Sequence, residues 1–92
     1  MGQISHSDDA IADLHALREY IALNNPSTAS RVAARIRRSV DRLATHPKFG
    51  KLACVEGTSE LASPKFPYTI VYEEDQGDCM VLRVLHQAMR WP

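Results

Sequence analysis

The chain has 92 residues, 45% of them hydrophobic, and its 11 Lys and Arg balance 11 Asp and Glu. That length fits one domain, residues 1–92, whose core holds two helices and a small sheet with little room for an enclosed substrate chamber. Zero formal charge excludes a nucleic-acid binder built on bulk charge, so any cationic function must come from local clustering.

Gln3-Ile4-Ser5-His6 is short enough for an edge strand. Ser7 stands where an N-cap belongs, and Asp8 and Asp9 fill the first turn, where negative charge suits the helix dipole. Ala10, Leu14, Leu17 and Ile21 then recur on one face, with Ile11 beside them, which predicts a helix running to about Leu23. Asn24-Asn25-Pro26 breaks it, and Asn25 with Pro26 can open the next one.

In that second helix Ala29, Val32, Ala33, Ile36, Val40 and Leu43 form the apolar stripe. Arg31, Arg35, Arg38 and Arg42 fall at i, i+4, i+7 and i+11, and about 100° per residue gathers them opposite the stripe. Only Asp41 offsets the row locally. It is either a solvated face or a docking strip for an acidic partner or nucleic-acid phosphate. His46-Pro47 ends the helix, and the short link predicts an antiparallel helical hairpin.

After Pro47 the period changes. Lys48-Phe49-Gly50-Lys51 reads as a loop, and strands are expected around 60–63, 68–74 and 79–86. Asp75-Gln76-Gly77-Asp78 is a hairpin turn signal. Tyr68, Ile70 and Tyr72 alternate with Thr69 and Val71, and Pro64 and Pro67 stiffen the approach to that strand. The last strand is apolar on both faces, which suits the centre of a sheet, and Arg83 shares the Val81 and Leu85 face. A charge there needs a partner such as Glu60, Glu73 or Glu74, or an opening to water. The expected fold class is α+β, the hairpin lying on one face of a three- or four-stranded antiparallel sheet.

The chain lacks HExxH, CxxC, GxSxG and a phosphate-binding glycine loop, and His6, His15, His46 and His86 show no ligand spacing, so no metal and no cofactor is expected. No run approaches the roughly 18 apolar residues of a membrane span. Met1-Gly2-Gln3-Ile4-Ser5-His6 has no secretory pattern, so a cytoplasmic protein with reduced Cys54 and Cys79 is expected. The remaining signal is Arg83, His86, Arg90 and Trp91, a cationic and aromatic ending. Arg83 and His86 fall on opposite faces of a regular strand, and His86 can act as a general acid or base or merely as a hydrogen-bonded spacer.

Taken in order, Ser7-Asp8-Asp9-Ala10-Ile11-Ala12-Asp13-Leu14, Arg18-Glu19-Tyr20-Ile21, Asn25-Pro26, Phe49-Gly50, Pro67-Tyr68-Thr69-Ile70-Val71-Tyr72 and Leu82-Arg83-Val84-Leu85-His86 resemble the RelE/ParE superfamily of type II toxins. The resemblance implies a toxin held by a small cognate antitoxin that has a DNA-binding N-terminal part. Any contact with DNA would then be indirect, through that antitoxin. It implies either a ParE-like inhibitor of DNA gyrase or a RelE-like nuclease that cuts mRNA in the ribosomal A site. A non-toxic antitoxin-binding module is a third outcome.

The ending Arg83-Val84-Leu85-His86 is closer to the ParE-like side. Thr69 stands where RelE-like chains commonly carry arginine, and no tyrosine follows Tyr72. Ser59 replaces an arginine often present in ParE-like chains. On this resemblance Arg83, His86, Arg90 and Trp91 are the target-binding candidates, and Arg31, Arg35 and Arg38 the antitoxin-binding ones. Arg83, His86 and Arg90 are the catalytic candidates should the chain cut RNA, with Lys48 and Lys51 on phosphate.

Overall fold

The computed structural model describes residues 2–62 and 68–86. The element order is β1 (Ile4–His6), α1 (Asp8–Asn24), α2 (Pro26–Thr45), β2 (Lys51–Leu52), β3 (Thr58–Ala62), β4 (Tyr68–Asp75) and β5 (Asp78–His86). The architecture is α+β as expected, but the sheet has five strands in the order β1-β5-β4-β3-β2. Two short edges account for the difference from three or four. β1 pairs parallel with β5, making the sheet mixed, and Lys51, expected at the end of a loop, forms with Leu52 a strand that pairs antiparallel with Glu60 and Ser59.

Side chains at the helix ends explain the hairpin. Ser7 Oγ accepts from the Ala10 N–H at 3.0 Å, with Asp8 and Asp9 in the first turn. Asn25 serves both helices: its N–H donates to the Ile21 carbonyl at 2.8 Å, and its side-chain oxygen accepts from the Thr28 N–H at 3.2 Å. Pro26 then occupies the first turn of α2, where no N–H is needed. With no residue between its helices except this shared cap, the hairpin is tight.

The core lies between that hairpin and one sheet face. Leu17, Val32, Ile36, Val40 and Leu43 meet Leu61, Ile70, Tyr72, Val81 and Val84. β5 sits inside the sheet as its two apolar faces require. The hairpin turn has Gln76 at φ 53° and Gly77 at φ 89°, the two positive dihedrals that a two-residue type I′ turn demands.

A bulge then resets the alternation of β5. Tyr72 pairs with Val81 while Val71 pairs with Arg83, so Leu82 is the extra residue. Val81 consequently joins Val84 in the core, and Arg83 keeps company with Leu85 and Val71 on the other side. The expected grouping of Val81 with Arg83 fails for that reason. The opposition of Arg83 and His86 survives, because both lie beyond the bulge.

Cys54 and Cys79 are free thiols, the first exposed and the second 1% exposed. Burial pushes the Cys79 thiol up, with Glu74 and Asp78 adding to it, and burial pushes the Tyr72 phenol up as well. For a raised acid the folded state keeps its proton after the unfolded chain has lost it. Stability is therefore complete below the unfolded values and declines as pH rises. Chemical denaturation should show a stability loss beginning near the ordinary thiol value of about 8.5, and Cys79→Ala should flatten its first part. A flat profile in the wild type between neutral pH and about 10 would contradict this assignment.

Candidate functional site

The region that carries the candidate residues is the end of β5, and α1 shapes it from the side. β1 covers β5 only from Cys79 to Val81. Beyond that point the free edge of β5 would expose unpaired backbone groups, and the start of α1 takes them over. The Ser7 N–H donates to the Val81 carbonyl at 2.9 Å, and Ser7 Oγ donates to the Leu82 carbonyl at 2.8 Å.

Six residues on, Asp13 completes the seal. Its Oδ2 accepts from the Val84 N–H at 2.9 Å and from Arg83 Nε at 2.7 Å, and its Oδ1 accepts from Arg83 Nη2 at 3.1 Å. One carboxylate thus holds a guanidinium bidentately and a strand N–H at once. The guanidinium's affinity for its proton rises, chiefly through the hydrogen bonds to Asp13, with Asp9 adding to it against the opposing desolvation. Arg83 is one-third exposed and Asp13 less so.

The partner of Arg83 is therefore Asp13 on α1, and none of Glu60, Glu73 and Glu74. The two are 70 residues apart in the chain, and Asp13 looks in the sequence like any acid near a helix start. The signal that could have found it is the position of Asp13 on the flank of the Ala10, Leu14 and Leu17 face, where it borders the sheet.

His86 is exposed at the end of β5 on the other face, and its ring meets Tyr68 edge-on with centroids 5.6 Å apart. Burial pushes the Tyr68 phenol up and Tyr20 adds to this, so Tyr68 stays protonated and can donate but not abstract. Arg83 and His86 are not brought together. Arg90 and Trp91, and the stretch containing Pro64 and Pro67, lie outside the described residues.

On α2, Arg31, Arg38 and Arg42 are exposed and Arg35 is half-buried. The Arg42 guanidinium sits over the Phe49 ring, 5.4 Å from its centroid, so the end of the row is occupied by an aromatic face. Lys48 lies in the turn, and Lys51 stands opposite Glu60 across the β2–β3 pair. The row keeps its geometry and remains a cationic surface without a carboxylate at ion-pair distance among the described residues.

Sequence reasoning missed one further feature. Residues of α1, α2, β1 and β5 line a partly open cavity of about 330 Å³, with Leu14, Ile36, Val40 and Val84 among its apolar walls and His6, Arg18 and Arg37 among its polar lining. Arg37 lies beside the row, on the flank of α2, and its place in the pattern carried no signal of its own.

Residues 4–91 match the family described as ParE toxin of type II toxin–antitoxin system, parDE. Y4kP of Sinorhizobium fredii, a protein named as a toxin, is 36% identical over 83 residues, which cover 90% of this chain and 85% of that one. Toxin RelE2 of Caulobacter vibrioides is 35% identical over 88 residues, 96% of this chain and 98% of that one. Among solved structures, the chromosomal ParDE system of P. aeruginosa gives a TM-score of 0.81 at 22% identity, over 94% of this chain and 96% of that one. The isolated E. coli RelE toxin gives 0.70 at 13% identity, over 94% and 84%. The fold, a helical hairpin on a mostly antiparallel sheet, is thus shared with both solved structures, while the family match spans residues 4–91. This chain belongs to the ParE toxin family of type II toxin–antitoxin systems.

Proposed function

We propose that this toxin acts in the cytoplasm by gripping DNA gyrase rather than by cutting RNA. The supporting observation is the separation of Arg83 from His86. Phosphodiester cleavage needs a base, an acid and a cation placed around one phosphate. Here Arg83 already donates through two nitrogens to Asp13, and His86 projects from the opposite face of β5. The end of β5, with Arg83, His86, Arg90 and Trp91, serves as a contact surface for the target.

Arg31, Arg35 and Arg38 take carboxylates of the cognate antitoxin, whose DNA-binding part brings the pair to DNA. Purified toxin should inhibit gyrase supercoiling at micromolar concentration or below, and the antitoxin should restore it. His86→Ala should weaken that inhibition by less than tenfold, since a contact residue supplies only part of a shared surface. Unchanged supercoiling at micromolar excess would remove gyrase as the target, and unchanged growth on overexpression would leave an antitoxin-binding module.

A second reading has one observation in its favour. The edge-on Tyr68–His86 pair joins a protonated phenol to an imidazole, a possible acid for RNA cleavage, in a chain similar to a protein named Toxin RelE2. It predicts A-site mRNA cuts on programmed ribosomes that disappear in His86→Ala. Intact mRNA would end it.

A further inference from the structure

We propose that the free toxin associates with further copies of itself head to tail. The arginine row on the outer side of α2 in one copy seats on an acidic depression in the open sheet face of the next.

The two surfaces lie on opposite sides of the molecule. Tyr72 and Cys79 point into the core beneath the helical hairpin. Strand alternation therefore turns Glu73, Asp75, Asp78 and Met80 to the other face of the sheet, away from the helices. With Ser5 and Glu74 they line an open depression of about 360 Å³. Arg31, Arg35 and Arg38 occupy the opposite pole. α2 buries Val32, Ile36, Val40 and Leu43 toward the sheet, so the helical period turns the row outward.

Each surface carries self-repulsion in the isolated chain. Asp75 and Asp78 stand directly opposite each other across the β4–β5 pair, where like charges destabilise, and Glu73 shares their face. All three are exposed, and none has an Arg or Lys at ion-pair distance among the described residues. The Gln3 N–H donates to Asp78 Oδ1 at 2.8 Å and offsets part of that charge. On α2 the three arginines repeat at helical spacing, which sets like charges side by side. They too lack a carboxylate at ion-pair distance among the described residues.

The chain itself is the partner that relieves both at once. It is neutral, with 11 basic and 11 acidic residues, yet these two groups cannot meet within one copy. Their dimensions match: Arg31 to Arg38 spans about 10 Å along the helix, and the three carboxylates spread over about 7 Å by 5 Å of sheet. A guanidinium fork takes a carboxylate through two nitrogens. Because the contact joins different patches on the two partners, it leaves one free surface at each end. It therefore grows into an open chain of copies instead of closing as a dimer. In a toxin–antitoxin complex the row belongs to the antitoxin by the reading above, so this contact is a property of the free toxin.

Sedimentation velocity of the full chain tests this at about 10–300 µM protein, where polar, transient contacts populate. The weight-average coefficient should climb past the dimer value at about 0.02 M salt and fall to the monomer's at about 0.5 M, as the screening length shortens from roughly 20 Å to roughly 4 Å. Arg31→Glu/Arg38→Glu and Glu73→Lys/Asp75→Lys, with circular dichroism confirming the fold, should each stay monomeric at low salt. Mixed in equal amounts they should associate again, since one then carries two acidic surfaces and the other two basic ones.

A wild type that stays monomeric at low salt would overturn this, as would a plateau at the dimer. So would wild-type association in either variant, or a mixture of the two folded variants that stays monomeric.

Discussion

Replacing Asp13 by alanine should cost this protein about 3 kcal/mol, from a total that for this length is about 5–14 kcal/mol. The carboxylate accepts three hydrogen bonds, two from Arg83 and one from the Val84 N–H. Its loss strands a backbone donor inside a strand, worth roughly 1–3 kcal/mol, and leaves a guanidinium unpaired. Because Arg83 is one-third exposed, water recovers part of the second term. Arg83→Ala should cost less, about 1–2 kcal/mol, since Asp13 still caps Val84.

Denaturant melts of the two variants decide the matter, and Asp13→Ala should lower the Tm by about 15 °C. Equal losses would mean that the strand cap contributes nothing and that the ion pair is the whole effect. Both variants bear on activity too, because Asp13 fixes where Arg83 can point.

Gly50→Ala should be nearly as damaging, at about 2 kcal/mol. A Cβ at Gly50 would stand 2.6 Å from the Glu60 carbonyl oxygen, 2.7 Å from Tyr72 Oη and 2.9 Å from its Cε1. The Glu60 carbonyl is fixed by the β2–β3 pair, so it cannot yield cheaply. Tyr72 is fully buried, and its hydroxyl accepts from the Gly50 N–H at 2.9 Å. The methyl would therefore break this bond as well as crowd its partners.

Tyr72→Phe removes one of the crowded atoms. The double variant Gly50→Ala/Tyr72→Phe should accordingly be more stable than the sum of the single losses allows, by about 1 kcal/mol. Strict additivity in a double-mutant cycle would show that the carbonyl clash alone sets the cost.

The helices were legible because their ends are written in local chemistry. Ser7 before two aspartates and Asn25 before Pro26 state a start and a shared corner, and the structure uses each of these side chains as its sequence position implies. The α2 stripe was legible for the same reason: period and burial agree at Ala29, Val32, Ile36, Val40 and Leu43.

The sheet was less so. A two-residue strand such as Lys51-Leu52 carries no periodicity, and the direction of β1 depends on a partner far along the chain. The bulge at Leu82 was invisible because an apolar run reads the same whether or not one residue is skipped. The site suffered most from this. Its arginine was found, but its carboxylate was not, because contact across 70 residues leaves no local trace. The cavity left none either, since its lining is drawn from α1, α2, β1 and β5 together rather than from any one stretch of sequence.

The parallel strand at the start of the chain has a consequence for how the toxin is made. β1, the Ser7 cap and the Asp13 clamp all wait for β5, some of them bridging 75 residues. During synthesis the hairpin therefore emerges without a floor, and no locally formed fragment can stand in for the missing strand. A nascent chain therefore stays unfinished until translation has passed His86.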